Sequence, residues 1–141
     1  MRQHRYVGII LVNSERKVLL QLRDKTENYY PSHWTLPGGK IEEDESPEQA
    51  IVREVKEELD LNLRNPKLFK VVTRSGHDQI VERIFIYWCK ISERIENLKL
   101  REGAALKYFP SNEISSLKIA FDLKPIIQEF METLIDNPKH T

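Results

Sequence analysis

Glu54, Glu57 and Glu58 stand at i, i+3 and i+4 of one segment. On a helix that spacing crowds three carboxylates onto one face. Like charges so placed repel, costing roughly 0.2–0.5 kcal/mol per pair when exposed. A helix that keeps them together is either simply solvated or holds a cation. Hard divalent ions such as Mg²⁺ take oxygen ligands of this kind, binding through a few carboxylates together with substrate phosphates. The acids are a local excess. Residues 42–60 hold nine of them, opposed only by Arg53 and Lys56, in a chain whose 22 acids and 22 bases cancel.

The surrounding stretch, GGKIEEDESPEQAIVREVKEELDL from Gly38 to Leu61, contains what is needed to position such a face. Ser46 is a helix N-cap, Pro47 suits the first helical position, and Gln49 completes a capping box. Nothing from there to Leu59 breaks a helix. Ala50, Ile51, Val55 and Leu59 fall at helical spacing and predict an inward apolar stripe.

Gly39, five residues, Glu45, seven residues, then Arg53-Glu54-Val55-Lys56-Glu57-Glu58-Leu59-Asp60-Leu61 resembles the Nudix box, G-x5-E-x7-R-E-U-x-E-E-x-G-U with U aliphatic. Every specified position matches except Asp60, which stands where the family has Gly. The preceding Trp34-Thr35-Leu36-Pro37-Gly38-Gly39 is similar to the MutT type. That family glycine lies just past the helix end, where a left-handed residue commonly closes the last turn, and Asp tolerates this region better than most. A small stability cost is expected there, without loss of chemistry.

The resemblance implies an α/β/α sandwich: a mixed sheet between helices, with the box as a loop-helix-loop beside it. It implies hydrolysis of a nucleoside diphosphate linked to another group, with Mg²⁺ or Mn²⁺ as cofactor. Glu54, Glu57 and Glu58 match the metal-ligating positions, and Glu54 also matches a frequently proposed general base. A backbone carbonyl at Gly38 or Gly39 commonly adds a ligand. Glu45 and Arg53 match an ion pair that braces loop against helix, and Arg53 also stands at i, i+4 to Glu57. Lys40 either meets phosphate oxygens or is a solvated lysine. Arg23 matches a nucleotide-contacting position, with a plain surface arginine as the alternative. Glu102 resembles a loop acid that reaches the metals in some relatives, or is a bland loop acid. Asp122 either caps the last helix, the reading its position favours, or lies in a region that reads a base edge.

One domain spanning all 141 residues is expected, with apolar content of 40% enough for one core. The charge balance gives no reason to expect a nucleic-acid polymer or a membrane as partner. The lone Cys89 lies in an apolar run and reads as a buried core residue. No leader or bilayer-length apolar run is read, so a reducing, cytoplasmic setting is expected. Family members are often homodimers, but no stretch marks an interface.

Strands are predicted at residues 6–12 and 17–23 around a turn at 13–16, then at 68–74 and 79–91 around a turn at 75–78. In the latter strand Ile80, Ile84, Ile86 and Trp88 make one face apolar, while Arg83 puts a charge on the other. A loop at 24–32 carries Tyr29 and Tyr30, which either stack on a base or cover the core edge. A charged connection at 92–103 precedes a short strand at 106–109 and a helical turn at 111–116. The last helix is predicted from near Asp122, with Ile126, Ile127, Phe130, Leu134 and Ile135 on one stripe, stopping before Asn137-Pro138.

Three function classes follow. The first is a metal-dependent pyrophosphohydrolase of small-molecule nucleotides. Within it, house-cleaning of oxidised or noncanonical nucleoside triphosphates precedes cleavage of nucleotide sugars, ADP-ribose or dinucleoside polyphosphates. The second is a non-catalytic nucleotide-binding regulatory module. The third is an isomerase of the isopentenyl-diphosphate kind, which needs a reactive cysteine.

Overall fold

The computed structural model describes residues 3–75 and 80–136, with the side chains of 135 and 136 left out. Its elements in chain order are β1 (Gln3–Val12), β2 (Val18–Leu22), β3 (Trp34–Thr35), β4 (Gly38–Lys40), α1 (Pro47–Leu59), β5 (Lys67–Ser75) and β6 (Val81–Lys90). A 3₁₀ turn (Ile95–Asn97), β7 (Ala105–Phe109), α2 (Ser111–Ile114) and α3 (Lys124–Asp136) follow. The sheet order is β3-β2-β1-β6-β5, with β4 paired to β1 and β7 to β2. β1 and β6 run parallel from Gln3↔Val81 to Val12↔Lys90, and the other pairs are antiparallel. The sheet is therefore mixed.

β1 is apolar without alternation because both of its faces are covered. Ile9 and Leu11 pack with Ile51, Val55 and Leu59 of α1, whereas Ile10 and Val12 pack with Ile127, Phe130 and Leu134 of α3. The odd positions of β6, Tyr87 and Cys89, join the α1 layer; its even positions, Ile84 and Ile86, join the α3 layer. Each fully buried large aliphatic side chain contributes about 1.5–3 kcal/mol, so one layer fixes α1 to the sheet and the other fixes α3 to its opposite face. Among the described residues no helix is long and apolar enough to cross a membrane.

Several expectations change. Glu82 shares the even face of β6 with Ile84 and Ile86, so that face is not wholly apolar. It is tolerated because Arg74 of β5 donates to it at 3.0 Å. Asp122 does not cap α3. The helix starts at Lys124, its first bond runs from Ile127 N–H to the Leu123 carbonyl at 3.0 Å, and Asp122 sits left-handed at φ 55°. β3 and β4 were not anticipated: flanking Pro37, they are too short and glycine-rich to show periodicity, and pairing with β2 and β1 creates them. The turn at 76–78, the helix end before Asn137-Pro138 and the Ile135 side chain lie outside the described residues.

Candidate active site

α1 begins as its residues dictate. Ser46 Oγ accepts from Gln49 N at 3.1 Å, and Gln49 Oε1 accepts from Ser46 N at 2.9 Å, a closed capping box. It ends at Asp60, left-handed at φ 55° and ψ 38°, whose N–H donates to the Lys56 carbonyl. Between these ends the apolar stripe faces β1 and the acids face the loop carrying Gly38 and Gly39.

Arg53 organises that loop. Its Nε and Nη2 donate to Glu45 Oε2 and Oε1 at 2.6 and 2.9 Å, and Nη2 also donates to the Lys40 carbonyl at 3.1 Å. Nη1 reaches Glu54 Oε1 at 3.0 Å and Glu57 Oε2 at 3.3 Å. The paired guanidinium, helped by the Glu42 amide, holds Glu45 down at about 2, and its acidic neighbours raise Arg53 further above its ordinary value.

The three box glutamates are not equivalent. Glu58 is buried at 5% exposure and accepts from the Gly38 amide at 3.2 Å. Burial first, then the neighbouring Glu102 and Glu54 carboxylates, push it up to about 9. Glu54 is partly buried and also raised, mainly by desolvation, with Glu57 and Glu102 adding to it and Arg53 opposing. Glu57 is the exposed member of the set, at 61% side-chain exposure. Glu102 comes from the connection between the 3₁₀ turn and β7, and its carboxylate meets Glu58.

Gly39 lets the loop approach Glu54 closely. A Cβ there would lie 2.6 Å from the Glu54 carboxylate, so a side chain at this position displaces that acid. Gly103, directly after Glu102, has φ +87°, and a Cβ there would lie 2.6 Å from the Leu22 carbonyl.

Beside these acids, where β1 leaves β2 for β4, a cavity of about 360 Å³ opens. Glu58, Glu102, Gly38, Gly39 and Lys40 line one end of it. Arg23, Arg74, Glu82 and Phe121 line other parts, and Ile84, Ile86, Leu36 and Leu123 supply apolar wall. Arg23 donates through Nε and Nη2 to the Tyr29 carbonyl at 3.1 and 2.9 Å, and its guanidinium lies 4.8 Å from the Phe121 ring centre. Tyr30 packs edge-on against the same ring at 4.8 Å, whereas Tyr29 is exposed at 61%. Asp122 is outside the cavity lining, its carboxylate 3.8 Å from Arg74 Nη1. Cys89 lies in the α1-side core with its thiol pushed up by burial, away from this cavity.

Residues from three separate segments thus escaped the sequence reading: Arg74, Glu82 and Phe121. Gln21 escaped it too, a buried polar side chain on β2 whose amide donates to the Glu102 carbonyl. The one available signal was Glu82 itself, a charge on an otherwise apolar face.

A divalent cation fits this donor set. Several carboxylates are pressed together with partial loss of water, a state that either a proton or a metal relieves. Among the described residues no three ligating groups close round one point as a finished cage. Glu54 and Glu57 each give one oxygen to Arg53, leaving Glu54 Oε2 and Glu57 Oε1 outside its grip.

Comparison with known proteins bears on the family and the fold. A family model described as the NUDIX domain matches residues 2–130. Among curated proteins the chain is similar to diphosphoinositol polyphosphate phosphohydrolase 3-alpha of Homo sapiens, 27% identical over 135 residues, which are 94% of this chain and 72% of that protein. It is also similar to 8-oxo-dGTP diphosphatase of Proteus vulgaris, 36% identical over 71 residues, 50% of this chain and 61% of that protein. Among solved structures, the solution structure of the E. coli ORF135 protein aligns with a TM-score of 0.81 at 24% identity, over 98% of this chain and 95% of that one.

Proposed function

The chain belongs to the Nudix family of hydrolases, and from that premise we propose that it cleaves the pyrophosphate linkage of a nucleotide, with Mg²⁺ or Mn²⁺ as cofactor. The observation that carries this is the meeting of Glu58 and Glu102 at the end of a 360 Å³ cavity, with Glu54 pressed against Gly39 beside it. Glu54, Glu57, Glu58 and Glu102, with the Gly38 carbonyl, would hold the metal. When bound, a divalent cation neutralises phosphate charge, polarises the phosphoryl oxygens and acidifies water. Arg53 keeps Glu54 and Glu57 oriented and fixes the loop through Glu45 and the Lys40 carbonyl. Glu54 is the acid we assign to taking the proton from the attacking water, because Arg53 occupies only its Oε1 and its carboxylate lies against Gly39 at the loop that would meet the phosphates. Lys40 and Gly39, which line the same cavity, are the groups we assign to phosphate oxygens.

The two relatives act on different substrates by name, a diphosphoinositol polyphosphate and 8-oxo-dGTP. The rest of the cavity favours the second kind for this chain. An inositol polyphosphate is a polyanion and demands a cationic surround. Here the lining holds Arg23, Lys40 and Arg74 against Glu27, Glu58, Glu82 and Glu102, with isoleucine and leucine walls and the Phe121 ring. Apolar walls with the Arg74 guanidinium and the Glu82 carboxylate among them suit a flat heterocycle that has both donors and acceptors on its edge. A noncanonical or oxidised nucleoside triphosphate is therefore the substrate class we assign, giving the monophosphate and pyrophosphate. Incubation with a panel of nucleoside triphosphates, nucleotide sugars, ADP-ribose and diphosphoinositol polyphosphates tests this, with products identified by mass. Turnover confined to the last of these, or absent throughout with Mg²⁺ and Mn²⁺, overturns it.

A further inference from the structure

Asp60, the one departure from the box pattern, is the anion at the centre of a cationic cluster. Its Oδ1 lies 2.8 Å from Lys56 Nζ, and its Oδ2 lies 3.5 Å from Lys99 Nζ and 3.8 Å from Arg101 Nη2. Two of these cations belong to the strap that ends in Glu102. The strap backbone follows the end of α1: Lys99 N donates to the Leu59 carbonyl at 3.2 Å, and Arg101 N donates to the Glu58 carbonyl at 3.1 Å. On its far side the Gln21 amide donates to the Glu102 carbonyl, and Ala104 N donates to the Leu22 carbonyl at 2.8 Å. Glu102 is thus pinned between the end of α1 and β2, with its carboxylate against that of Glu58.

We infer that Asp60 is a positioning residue, whose carboxylate docks the Lys99–Arg101 strap onto the end of α1 and so holds Glu102 in the metal-binding set. A glycine here would close the helix equally well but would leave Lys56, Lys99 and Arg101 to repel one another. The inference rests on the reading of Glu102 as a metal ligand.

The test is Mn²⁺ binding without substrate, followed by the electron paramagnetic resonance signal of free Mn²⁺. The proteins are the wild type, D60N, E102Q and the D60N/E102Q double variant, with thermal melts run beside them. D60N keeps a residue that tolerates the left-handed backbone, and D60G replaces it should the Asn variant melt early. D60N is expected to weaken Mn²⁺ binding by about two- to fivefold in low salt, the range open to surface ion pairs, and E102Q by at least as much, because it removes the proposed ligand itself. The double variant is expected to bind no worse than E102Q, because the two residues act through one contact. Raising salt to about 0.5 M narrows the gap between wild type and D60N, since exposed pairs are screened. Wild-type binding in D60N or in E102Q, losses that multiply in the double variant, or a gap indifferent to salt overturns the inference. Failure of the hydrolase reading shows differently: wild-type protein binds Mn²⁺ but turns over no nucleotide.

Discussion

The acidic end of the cavity and the part lined by Arg74, Glu82 and Phe121 are built by opposite means. At the acidic end one continuous stretch gives Gly38, Gly39, Lys40 and Glu58 to the lining, with Glu54 and Glu57 beside it on the same capped helix and Arg53 holding the preceding loop against that helix. The other part is assembled from β5, β6 and the approach to α3, brought together only when the sheet forms. Its Arg74 guanidinium is held by Glu82 at 3.0 Å and by the Phe121 carbonyl at 2.7 Å. The contrast separates two tasks. On the proposed function, a contiguous element would hold the reacting groups and a composite one would choose what is attached to them.

That division has consequences that differ in kinetic form, the largest at the acidic end. Chelation with EDTA is expected to bring hydrolysis to the uncatalysed baseline, and added Mg²⁺ or Mn²⁺ to restore it, followed by phosphate or pyrophosphate release. Gly39→Ala is expected to lower kcat by about 10²-fold, because a Cβ 2.6 Å from the Glu54 carboxylate displaces an acid that must be held closely. Steady-state kinetics with an unchanged melting temperature read that effect.

At the composite end the expected change is smaller and falls elsewhere. Arg74→Ala is expected to raise KM by about tenfold and to reorder the substrate panel, with kcat moved much less. A fall in kcat equal to the fall in kcat/KM would erase the proposed separation of tasks. Ser46→Ala marks the lower limit. It removes one cap, is expected to cost about 1 kcal/mol in urea unfolding, and leaves the ranking of substrates as it was.

How much could be read in the sequence follows the same contrast. The caps, the apolar stripe and the acidic face of α1 are local, so residue types and spacing reveal them directly. β1 and β6 are legible as apolar runs, though not their parallel pairing, which only the assembled sheet determines. Glu82 was passed over because periodicity counts apolar positions and says nothing about a charge neutralised from a neighbouring strand. Asp122 carries the right residue type for a cap, yet packing of Leu123 into the α3-side core starts the helix after it. Gln21 sits unmarked in a strand, and its importance lies wholly in the strap it touches 81 residues later.

The central claim, that the box glutamates carry the cleavage, is tested most directly by kcat of Glu57→Gln across a Mg²⁺ titration. Glu57 is exposed, so the fold is expected to be untouched, and kcat is expected to fall by about 10²-fold or more at saturating metal. A variant that folds normally and turns over at the wild-type rate would contradict the account.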